Sequence, residues 1–456
     1  MKRLTQVLTP AKLLVLSFAV LVLIGTMALM LPGIMVERGG GLSDALFTAT
    51  SAVCVTGLSV RDTGSEFSLF GQVIILVLIQ IGGLGIITLS NLLFLLRRGK
   101  VGISHRFLLQ ESFGMLPSVS PAQLIRSIAG YTAVIELVGA VILTARFTVT
   151  YHIPVAHAAW LGVFHSVSAF CNAGFSLFST SLISYRDDSV INSTIIMLII
   201  LGSLGFVVAA DINQWLRSFR SAVRGRLSLH SKVVLAVSAL LVTGGAVLFF
   251  VLELTGDAMP TSFISHMWQS VFLSVTARTA GFNTVDTASL TNASLLVLML
   301  LMLVGGSPGS TAGGIKTTSL ATMLALLYSR MRNRLKVEMF SRSLPTETVT
   351  KALTTIAGFI MVIAVAVIML QITELFGVPH SCHRGQFLEY MFEVVSALCT
   401  VGLSTGITAS LSEPGRLIII TCMFLGRLGP VLIATSLIGS RQRLEFSYAE
   451  EDIIVG

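Results

Sequence analysis

Charged residues are scarce in this chain: of its 456 residues only 11% are Asp, Glu, Lys or Arg, whereas 54% are hydrophobic. A soluble globular surface needs more charge than this, so the composition indicates a membrane protein. Long polar stretches are lacking as well. No segment outside the apolar runs is long enough to fold as a soluble domain, and we expect any nucleotide-sensing or catalytic domain to belong to a partner.

Cysteine and histidine are also rare, with five and eight residues. Three of the cysteines recur three residues before a glycine: Cys54, Cys171 and Cys399. This regularity favours small apolar fillers over a disulfide or metal set. Residues 380–383 (His-Ser-Cys-His) have metal-like spacing, but one isolated motif is weak. A membrane redox enzyme would need haem-binding histidines that face each other within spans, whereas His165 and His266 fall in or near segments too short to span.

Apolar runs dominate the remainder of the sequence. Eight of them approach the ~20 residues that a spanning helix requires. They cover residues 12–31, 69–96, 123–145, 189–216, 231–255, 290–328, 351–376 and 415–439. The first follows Met-Lys-Arg-Leu, as in a signal peptide, but it is long and lacks a clean small-residue cleavage site. We therefore predict eight spans.

The basic residues flank these runs, which argues against a nucleic-acid partner despite a formal net charge of +8. They lie near both termini and in every second connection: Lys2, Arg3, Lys12, Arg97, Arg98, Lys100, Arg106, Arg217, Arg220, Arg224, Arg226, Lys232, Arg330, Arg332, Arg334, Lys336, Arg342, Arg441 and Arg443. The alternate connections carry acidic residues: Glu37, Asp62, Glu66, Asp187, Asp188, Asp257 and Asp286. The positive-inside rule therefore predicts that both termini are cytoplasmic.

One short pattern recurs four times, as FTATSAVCVTGLS (47–59), FHSVSAFCNAGFS (164–176), FLSVTARTAGFNT (272–284) and FEVVSALCTVGLS (392–404). The central glycines recur at intervals of about 110 residues: Gly57, Gly174, Gly281 and Gly402. The third copy has one residue fewer between its phenylalanine and its glycine, which predicts a shortened half-helix. A second glycine-rich mark follows each copy, at residues 82–85, 202–205, 305–309 and 426–429.

Each apolar stretch before a central glycine is too short to cross a bilayer, so we interpret it as a re-entrant half-helix. Non-helical backbone survives in a membrane only where protein buries it or where it lines water. Glycine permits positive φ and leaves carbonyl oxygens free to converge on a cation. Small-residue packing between helices is the alternative for a single copy, but four copies in register favour a selectivity filter. Its predicted residues are Val55, Thr56, Gly57, Asn172, Ala173, Gly174, Thr279, Ala280, Gly281, Thr400, Val401 and Gly402.

The predicted fold is therefore an all-α polytopic membrane protein. Four pseudo-symmetric repeats, each a helix, a re-entrant pore loop and a helix, surround one central pore, as in a K⁺ channel. The predicted repeat boundaries are residues 1–100, 101–226, 227–342 and 343–456, and the third repeat has a broken second helix.

The break lies in the sixth span, where glycines, serines and a proline interrupt an apolar run. Residues 309–318 nearly match a phosphate-binding loop, but Ile315 separates Gly314 from Lys316 and no strand precedes the motif. We interpret the segment as an intramembrane gate. The residues that we assign to it are Gly305, Gly306, Ser307, Pro308, Gly309, Ser310, Thr311, Ala312, Gly313, Gly314, Lys316 and Arg427.

Arg427 occupies the matching place in the fourth repeat, within an apolar helix where a charge costs about 2.5–3.5 kcal/mol. We expect it to face the pore, held by backbone carbonyls of residues 306–314; a snorkelling or helix-bridging role is the alternative. Four further acids lie in or near spans: Glu136, Asp211, Glu253 and Glu374. The three glutamates are expected to pair or to form interfaces, and Asp211 either lines an inner vestibule or caps a helix.

The motifs VCVTGLS, FCNAGFS, RTAGFNT and LCTVGLS, together with the broken sixth span, resemble those of the Ktr/Trk/HKT superfamily of K⁺ transporters. The likeness is greatest to its eight-helix Ktr-type membrane subunits, and it covers essentially the whole chain. It implies that each repeat corresponds to one subunit of a tetrameric K⁺ channel. It also implies that the loop and the arginine form a constriction. Filter glycines accompany K⁺ preference in the family, and a serine at the position of Gly57 accompanies Na⁺ preference in plant relatives.

The resemblance further implies K⁺ uptake across the cytoplasmic membrane of a prokaryote. It implies a homodimer in which each protomer has its own pore, seated on a cytoplasmic ring of nucleotide-binding regulatory subunits of the KtrA/TrkA type. Stimulation by Na⁺ is frequent in the family. The chain is expected to be no enzyme and to carry no cofactor or transition metal, K⁺ being its cargo. A Na⁺-permeating or Na⁺-coupled transporter of the same fold is the alternative.

Overall fold

The computed structural model describes residues 10–36, 41–96, 121–219, 225–254, 262–377, 379 and 385–430. Several residues named above lie outside these ranges: Lys2, Arg3, Glu37, Arg97, Arg98, Lys100, Arg106, Arg220, Arg224, Asp257, 380–383, Arg441 and Arg443. The His-Ser-Cys-His motif at 380–383 and many of the basic residues that flank the apolar runs therefore lie outside the described residues.

The described residues form helices and one two-stranded hairpin. In chain order the helices are α1 (Pro10–Leu29), α2 (Leu42–Cys54), α3 (Leu69–Leu96), α4 (Pro121–Tyr151), α5 (Val155–Phe170), α6 (Ser189–Leu204), α7 (Phe206–Ser218), α8 (Leu229–Leu252), α9 (Phe263–Thr276), α10 (Asn292–Leu303), α11 (Thr317–Met331), α12 (Thr346–Leu375), α13 (Gln386–Leu398) and α14 (Glu413–Leu428). The strands β1 (Glu338–Met339) and β2 (Arg342–Ser343) pair antiparallel.

The helices of the described residues follow one order four times: a first helix, a half-helix and a second helix, the second helix being divided in the second and third repeats. The short helices α2, α5, α9 and α13 are the predicted half-helices, with 13, 16, 14 and 13 residues. In the third repeat the second helix is broken as predicted, because α10 ends at Leu303 and α11 begins at Thr317. The second repeat is also interrupted, since α6 and α7 meet at 98° around Gly205, a break that the sequence did not predict.

Three helical segments within the described ranges are long and apolar enough to cross a bilayer: Arg126–Tyr151, Leu229–Leu252 and Thr346–Leu375. The bent pair α6 and α7 makes a fourth if it counts as one span. The remaining predicted spans coincide with α1, α3, the α10–α11 pair and α14, whose described apolar portions are shorter.

From its phenylalanine onward the half-helix of the third repeat is shortened, as the sequence indicates. Its α9 ends four residues after Phe272, whereas α13 ends six residues after Phe392. In the fourth repeat Val401 N donates to the carbonyl of Ser396, five residues earlier, whereas in the third Ala280 N donates to Thr276, four residues earlier. The total length of α9 remains 14 residues because this helix begins nine residues before Phe272, against six before Phe392 in α13.

The second glycine-rich marks are contact points between helices. A Cβ atom added to Gly82, Gly202 or Gly426 would lie 2.1, 1.9 or 1.8 Å from a carbonyl oxygen in the last turn of the half-helix of the same repeat. No real Cβ atom can approach backbone so closely, so the second helix packs on the half-helix only where it lacks a side chain. Glycine at these places is a packing requirement.

Three of the four acids in or near spans accept hydrogen bonds from the first, capping residue of another helix. Glu253 accepts hydrogen bonds from the backbone and hydroxyl of Thr291 at 3.0 and 2.9 Å, and Glu374 accepts from Ser412, whose hydroxyl is 2.6 Å away. Asp211 accepts from Ser228 at 2.8–2.9 Å. Thr291, Ser412 and Ser228 are the N-caps of α10, α14 and α8. Asp211 therefore supports a helix cap, the second of its two expected roles.

We expect Gly426→Ala to lower the melting temperature of the purified protein in detergent by several degrees. The added methyl group would overlap the backbone carbonyl of Leu398, which is fixed within α13. Overpacking of this kind lowers the free energy of unfolding by about 1–3 kcal/mol. Gly244→Ala is the matched control, because this exposed glycine inside α8 has nothing within 4 Å of an added Cβ. Equal melting temperatures for the two variants would contradict the packing requirement.

Candidate functional site

The four loops that follow the half-helices share one strained backbone conformation. The residue two before each glycine has positive φ, which is 56° at Val55, 58° at Asn172, 67° at Thr279 and 51° at Thr400. The glycines themselves have φ of 70–93°. Left-handed conformation is unfavourable for β-branched residues and costs about 1–3 kcal/mol at each such position. Asn172 adopts this conformation more readily, so three of the four positions are strained, while all four loops share the same backbone conformation.

The four glycines, Gly57, Gly174, Gly281 and Gly402, meet in a closed ring, which we call the glycine ring. A Cβ atom added to any of them would lie 2.1–3.0 Å from a carbonyl oxygen of the next loop. The oxygens are those of the residues that precede the glycines: Ala173, Ala280, Val401 and Thr56. Each loop therefore contacts the next in the order first, second, third, fourth and first again. The second and fourth repeats face each other across the ring.

Hydroxyl groups at the ends of the half-helices hold the loops. Ser51 Oγ and Ser396 Oγ accept hydrogen bonds from the N–H groups of Gly57 and Gly402, each at 3.1 Å. In the other two repeats the hydroxyl donates instead: Ser168 Oγ to the carbonyl of Phe175 and Thr276 Oγ1 to that of Phe282, each at 2.7 Å. The half-helices thus position all of the predicted filter residues, and the structure brings these residues together.

On one side the ring opens into a cavity of about 640 Å³, which we call the vestibule, lined by the residues that follow the four glycines. Arg61 on its wall belongs to a network of ion pairs. Arg61 binds Glu66 at 2.8 Å and Asp44 at 2.9 Å, and Arg416 binds the other oxygen of Asp44 at 2.9 Å. The hydrogen bond with Glu66, followed by that with Asp44, raises the pKa of the Arg61 guanidinium. Buried Asp44 thereby joins the first repeat to the fourth.

On the other side of the ring lies the segment between α10 and α11, residues 304–316, which we call the inner loop. Gly305 N donates to the carbonyl of Ile315 at 3.0 Å, and this hydrogen bond joins the two ends of the inner loop. A Cβ atom on Gly313 would lie 2.0 Å from Thr400 Oγ1, and Thr311 Oγ1 donates to the carbonyl of Phe170 at 3.2 Å. The inner loop therefore lies directly against the glycine ring.

Arg427 is 7% exposed. Its two Nη atoms donate hydrogen bonds to backbone carbonyl groups. Nη1 donates to Thr311 of the inner loop, as expected from the sequence. Nη2 donates to Gly82 at 2.5 Å and Gly83 at 3.3 Å in α3, which the sequence did not predict. The side chain consequently links the inner loop to the first repeat as well as the fourth.

The inner loop is bound to the second repeat at the unexpected break. Ser307 N donates to the carbonyl of Ser203 at 3.0 Å, and Phe206 N donates to that of Gly309 at 3.3 Å. The backbone groups that α6 loses at Gly205 are thus satisfied by the loop. The remaining predicted gate residue, Lys316, donates from Nζ to the carbonyl of Ala312 at 2.7 Å.

Two charged residues of the site escaped the sequence interpretation. Arg278 stands where the other three repeats have cysteine, is 3% exposed, and donates to the carbonyl of Gly305 at 3.4 Å. Glu393 is fully buried in α13 and accepts hydrogen bonds from Ser404 and Thr408. Arg278 interrupts the recurring cysteine, and position-by-position comparison of the four copies would have revealed it, whereas Glu393 occupies a position that differs in every copy.

The remaining residues singled out from the sequence lie beside the ring. The three repeated cysteines are fully buried at the half-helix ends, as expected of fillers. Glu136 Oε2 accepts from Gln80 Nε2 at 3.3 Å and so pairs α4 with α3. His165 belongs to the half-helix α5 and His266 to α9, so neither lies in a long helix as a haem-binding pair would.

Comparisons with known proteins agree with this architecture. The TrkH family, described as cation transport proteins, matches residues 4–442. The potassium/sodium uptake protein NtpJ of Enterococcus hirae is 37% identical over 462 residues, covering 100% of this chain and 99% of that protein. The Ktr system potassium uptake protein B of Vibrio alginolyticus is 37% identical over 98% of this chain and 94% of that protein, and that of Bacillus subtilis is 34% identical over 98% and 97%.

Among solved structures, the crystal structure of the potassium transporter TrkH from Vibrio parahaemolyticus aligns with a TM-score of 0.72 over 93% of this chain and 83% of that one. At 19% identity it supports the fold alone. The predicted class is thereby confirmed, a multi-pass all-α membrane protein of four helix, loop and helix repeats. The chain belongs to the TrkH family of cation transport proteins, which are transporters and not enzymes.

Proposed function

We propose that this chain takes up K⁺ across the cytoplasmic membrane of a prokaryote as the membrane subunit of a Ktr/Trk-type system. The glycine ring is its selectivity filter, and the inner loop with Arg427 is its gate. The observation that carries the proposal is the closed ring of four carbonyl oxygens, of Thr56, Ala173, Ala280 and Val401, one from each repeat. The printed functions of the full-length relatives, potassium or potassium/sodium uptake, support the choice of ion.

The ring suits a dehydrated monovalent cation. Converging carbonyl oxygens replace a hydration shell without a fixed charge that would hold the ion too tightly. All four half-helices end at the loops, so their partly negative C-termini favour a cation over an anion. The filter residues are those at and just before the glycines: Val55, Thr56, Gly57, Asn172, Ala173, Gly174, Thr279, Ala280, Gly281, Thr400, Val401 and Gly402.

The inner loop suits a gate because it lies against the ring and is bound to all four repeats. In this proposal conduction requires that the loop move aside, and the close packing of Gly313 on Thr400 supports an obstructing position. Arg427 adds an electrostatic barrier. A cation about 5 Å from a guanidinium at an effective dielectric constant near 20 is repelled by roughly 3 kcal/mol.

In this proposal the vestibule faces outward, both termini are cytoplasmic, and two protomers form a homodimer on a cytoplasmic ring of nucleotide-binding subunits. The vestibule carries the acids of connections that the positive-inside rule assigns to the exterior, such as Asp62, Glu66 and Asp286. Control by a separate subunit accords with the absence of any long polar segment from the sequence. A Na⁺-permeating or Na⁺-coupled transporter is the second candidate, favoured by the potassium/sodium uptake protein among the relatives.

We expect the chain to rescue K⁺-limited growth of a host that lacks K⁺ uptake, alone or with a co-expressed regulatory subunit. Gly57→Ser and Gly281→Ser should lose that rescue or shift preference toward Na⁺, because the added side chain meets carbonyls of the neighbouring loop. Gly33→Ser is the matched control: its φ is +83°, and nothing lies within 4 Å of an added Cβ. Failure of the parent to rescue while present in the membrane would refute K⁺ uptake.

We expect Arg427→Ala, or deletion of residues 309–314, to raise ⁸⁶Rb⁺ flux into proteoliposomes severalfold. Both changes weaken the barrier, the first by removing the charge and the second by removing the loop. Arg332→Ala, at an exposed arginine that follows α11, is the control for loss of positive charge. An unchanged or lower flux in a variant that purifies as the parent does would count against a gate.

We expect multi-angle light scattering of the detergent-purified chain to give the mass of two protomers after subtraction of the detergent. A monomeric mass at concentrations that support transport would contradict the homodimer. Retention of a co-expressed nucleotide-binding subunit on the tagged chain tests the cytoplasmic ring independently.

A further inference from the structure

The second and fourth half-helices carry a polar side chain at one equivalent position, directly after the conserved phenylalanine of the repeat pattern. These residues are His165 and Glu393, and both are buried, with exposures of 1% and 0%. Each contacts the serine that lies two residues after the glycine of its own repeat, Ser176 or Ser404. The same half-helix position therefore reaches past the filter loop to its vestibule end.

In the fourth repeat the contact is a relay of hydrogen bonds. Ser404 Oγ donates to Glu393 Oε1, and Thr408 Oγ1 donates to the other carboxylate oxygen at 3.0 Å. Ser404 Oγ in turn accepts from Gly406 N at 2.9 Å. A buried carboxylate thus fixes the chain on the vestibule side of Gly402.

The second repeat has the same relay with different chemistry. His165 Nδ1 lies 2.8 Å from the carbonyl of Leu161, which can only accept, so Nδ1 carries the proton and Nε2 is an acceptor. Ser176 Oγ, 3.1 Å from Nε2, is therefore the donor. It accepts from Phe178 N at 3.0 Å. Both repeats therefore contain the same series: a buried acceptor on the half-helix, a serine hydroxyl, and the backbone N–H two residues after that serine.

The first and third repeats are built differently. In the first, Thr48 occupies the half-helix position, and its hydroxyl has no hydrogen-bond partner among the described residues. In the third, Leu273 follows the phenylalanine and Asn283 replaces the serine. Asn283 is tied instead to the second repeat, since its N–H donates to Ser181 Oγ at 3.1 Å. The relays therefore lie on one diagonal of the ring, where the second and fourth repeats face each other.

We propose that Glu393 and His165 are positioning residues that hold the second and fourth filter loops and thereby set the K⁺ over Na⁺ preference. The proposal rests on the glycine ring being the filter. Thr400 keeps a left-handed conformation that an unrestrained loop would leave, and Asn172 has the same conformation in the second repeat. The relays are anchored just beyond these residues, on the other side of Gly402 and Gly174. Loops that relax can close around the smaller Na⁺, so loss of a relay selectively admits Na⁺.

The test measures the ratio of K⁺ to Na⁺ permeability in proteoliposomes, which is independent of how much protein folds. Glu393→Leu and Ser404→Ala should each lower this ratio by about tenfold, the scale of a hydrogen bond to a charged group. The double variant should lower it no further, since both changes break one relay. Ser404→Ala removes a single hydroxyl, so it keeps the test valid if Glu393→Leu fails to fold.

Conservative variants separate a hydrogen-bonded support from a charge effect. Glu393→Gln keeps an acceptor oxygen for Ser404 and should retain most of the parent ratio. Glu389→Gln, the same change four residues earlier on α13, is the control and should leave the ratio unchanged. A ratio as low in Glu393→Gln as in Glu393→Leu would overturn the proposal, because charge and not position would then matter. On the opposite loop, Ser176→Ala should reproduce the effect of Ser404→Ala.

Different results would contradict the filter assignment and the role of the relays. If Gly57→Ser alters the ratio while all relay variants keep the parent value, the relays do not set selectivity and the filter assignment stands. If neither the glycine variants nor the relay variants alter it, the ring is not the filter and both proposals are wrong.

Discussion

Non-helical backbone inside a membrane needs hydrogen-bond partners supplied by protein, and this requirement governs the whole structure. The chain breaks helical order at four turns, at Gly205 and along the inner loop, and it gathers these breaks around one axis. Their peptide groups bind one another or side chains of the half-helices. The arrangement is possible only where backbones approach closely, which is why glycine occupies the ring and again the points where the second helices of the first, second and fourth repeats meet their half-helices.

Much of this could be predicted from the sequence because it depends on spacing. Apolar runs indicate the spans, four repeats of one pattern indicate the ring, and a glycine and proline cluster indicates the broken helix of the third repeat. The bend at Gly205 could not be predicted in this way. Its sequence resembles the glycine-rich mark at residues 82–85, through which α3 continues unbroken. The break at Gly205 is stabilised by the inner loop from more than 100 residues away in the chain.

The differences between repeats were harder to predict than their likeness. A search for a shared pattern treats Arg278 as a deviation from cysteine and Glu393 as one variable residue among several. Their roles follow from contacts with Gly305 and Ser404, which only the folded chain supplies.

Positive charge is concentrated at the inner loop in a way that neither symmetry nor packing requires. Arg278, Lys316 and Arg427 each donate to one of its backbone carbonyls, at Gly305, Ala312 and Thr311. Within the described part of the chain none of the three joins a salt bridge. These carbonyl oxygens are thus occupied by cationic side chains of the protein itself. As the gate that we propose, a loop held in this way would oppose permeation twice, by its backbone and by its charges. A motion that frees the carbonyls would then also carry the guanidinium and ammonium groups away, so that opening the path and lowering the electrostatic barrier would be one event.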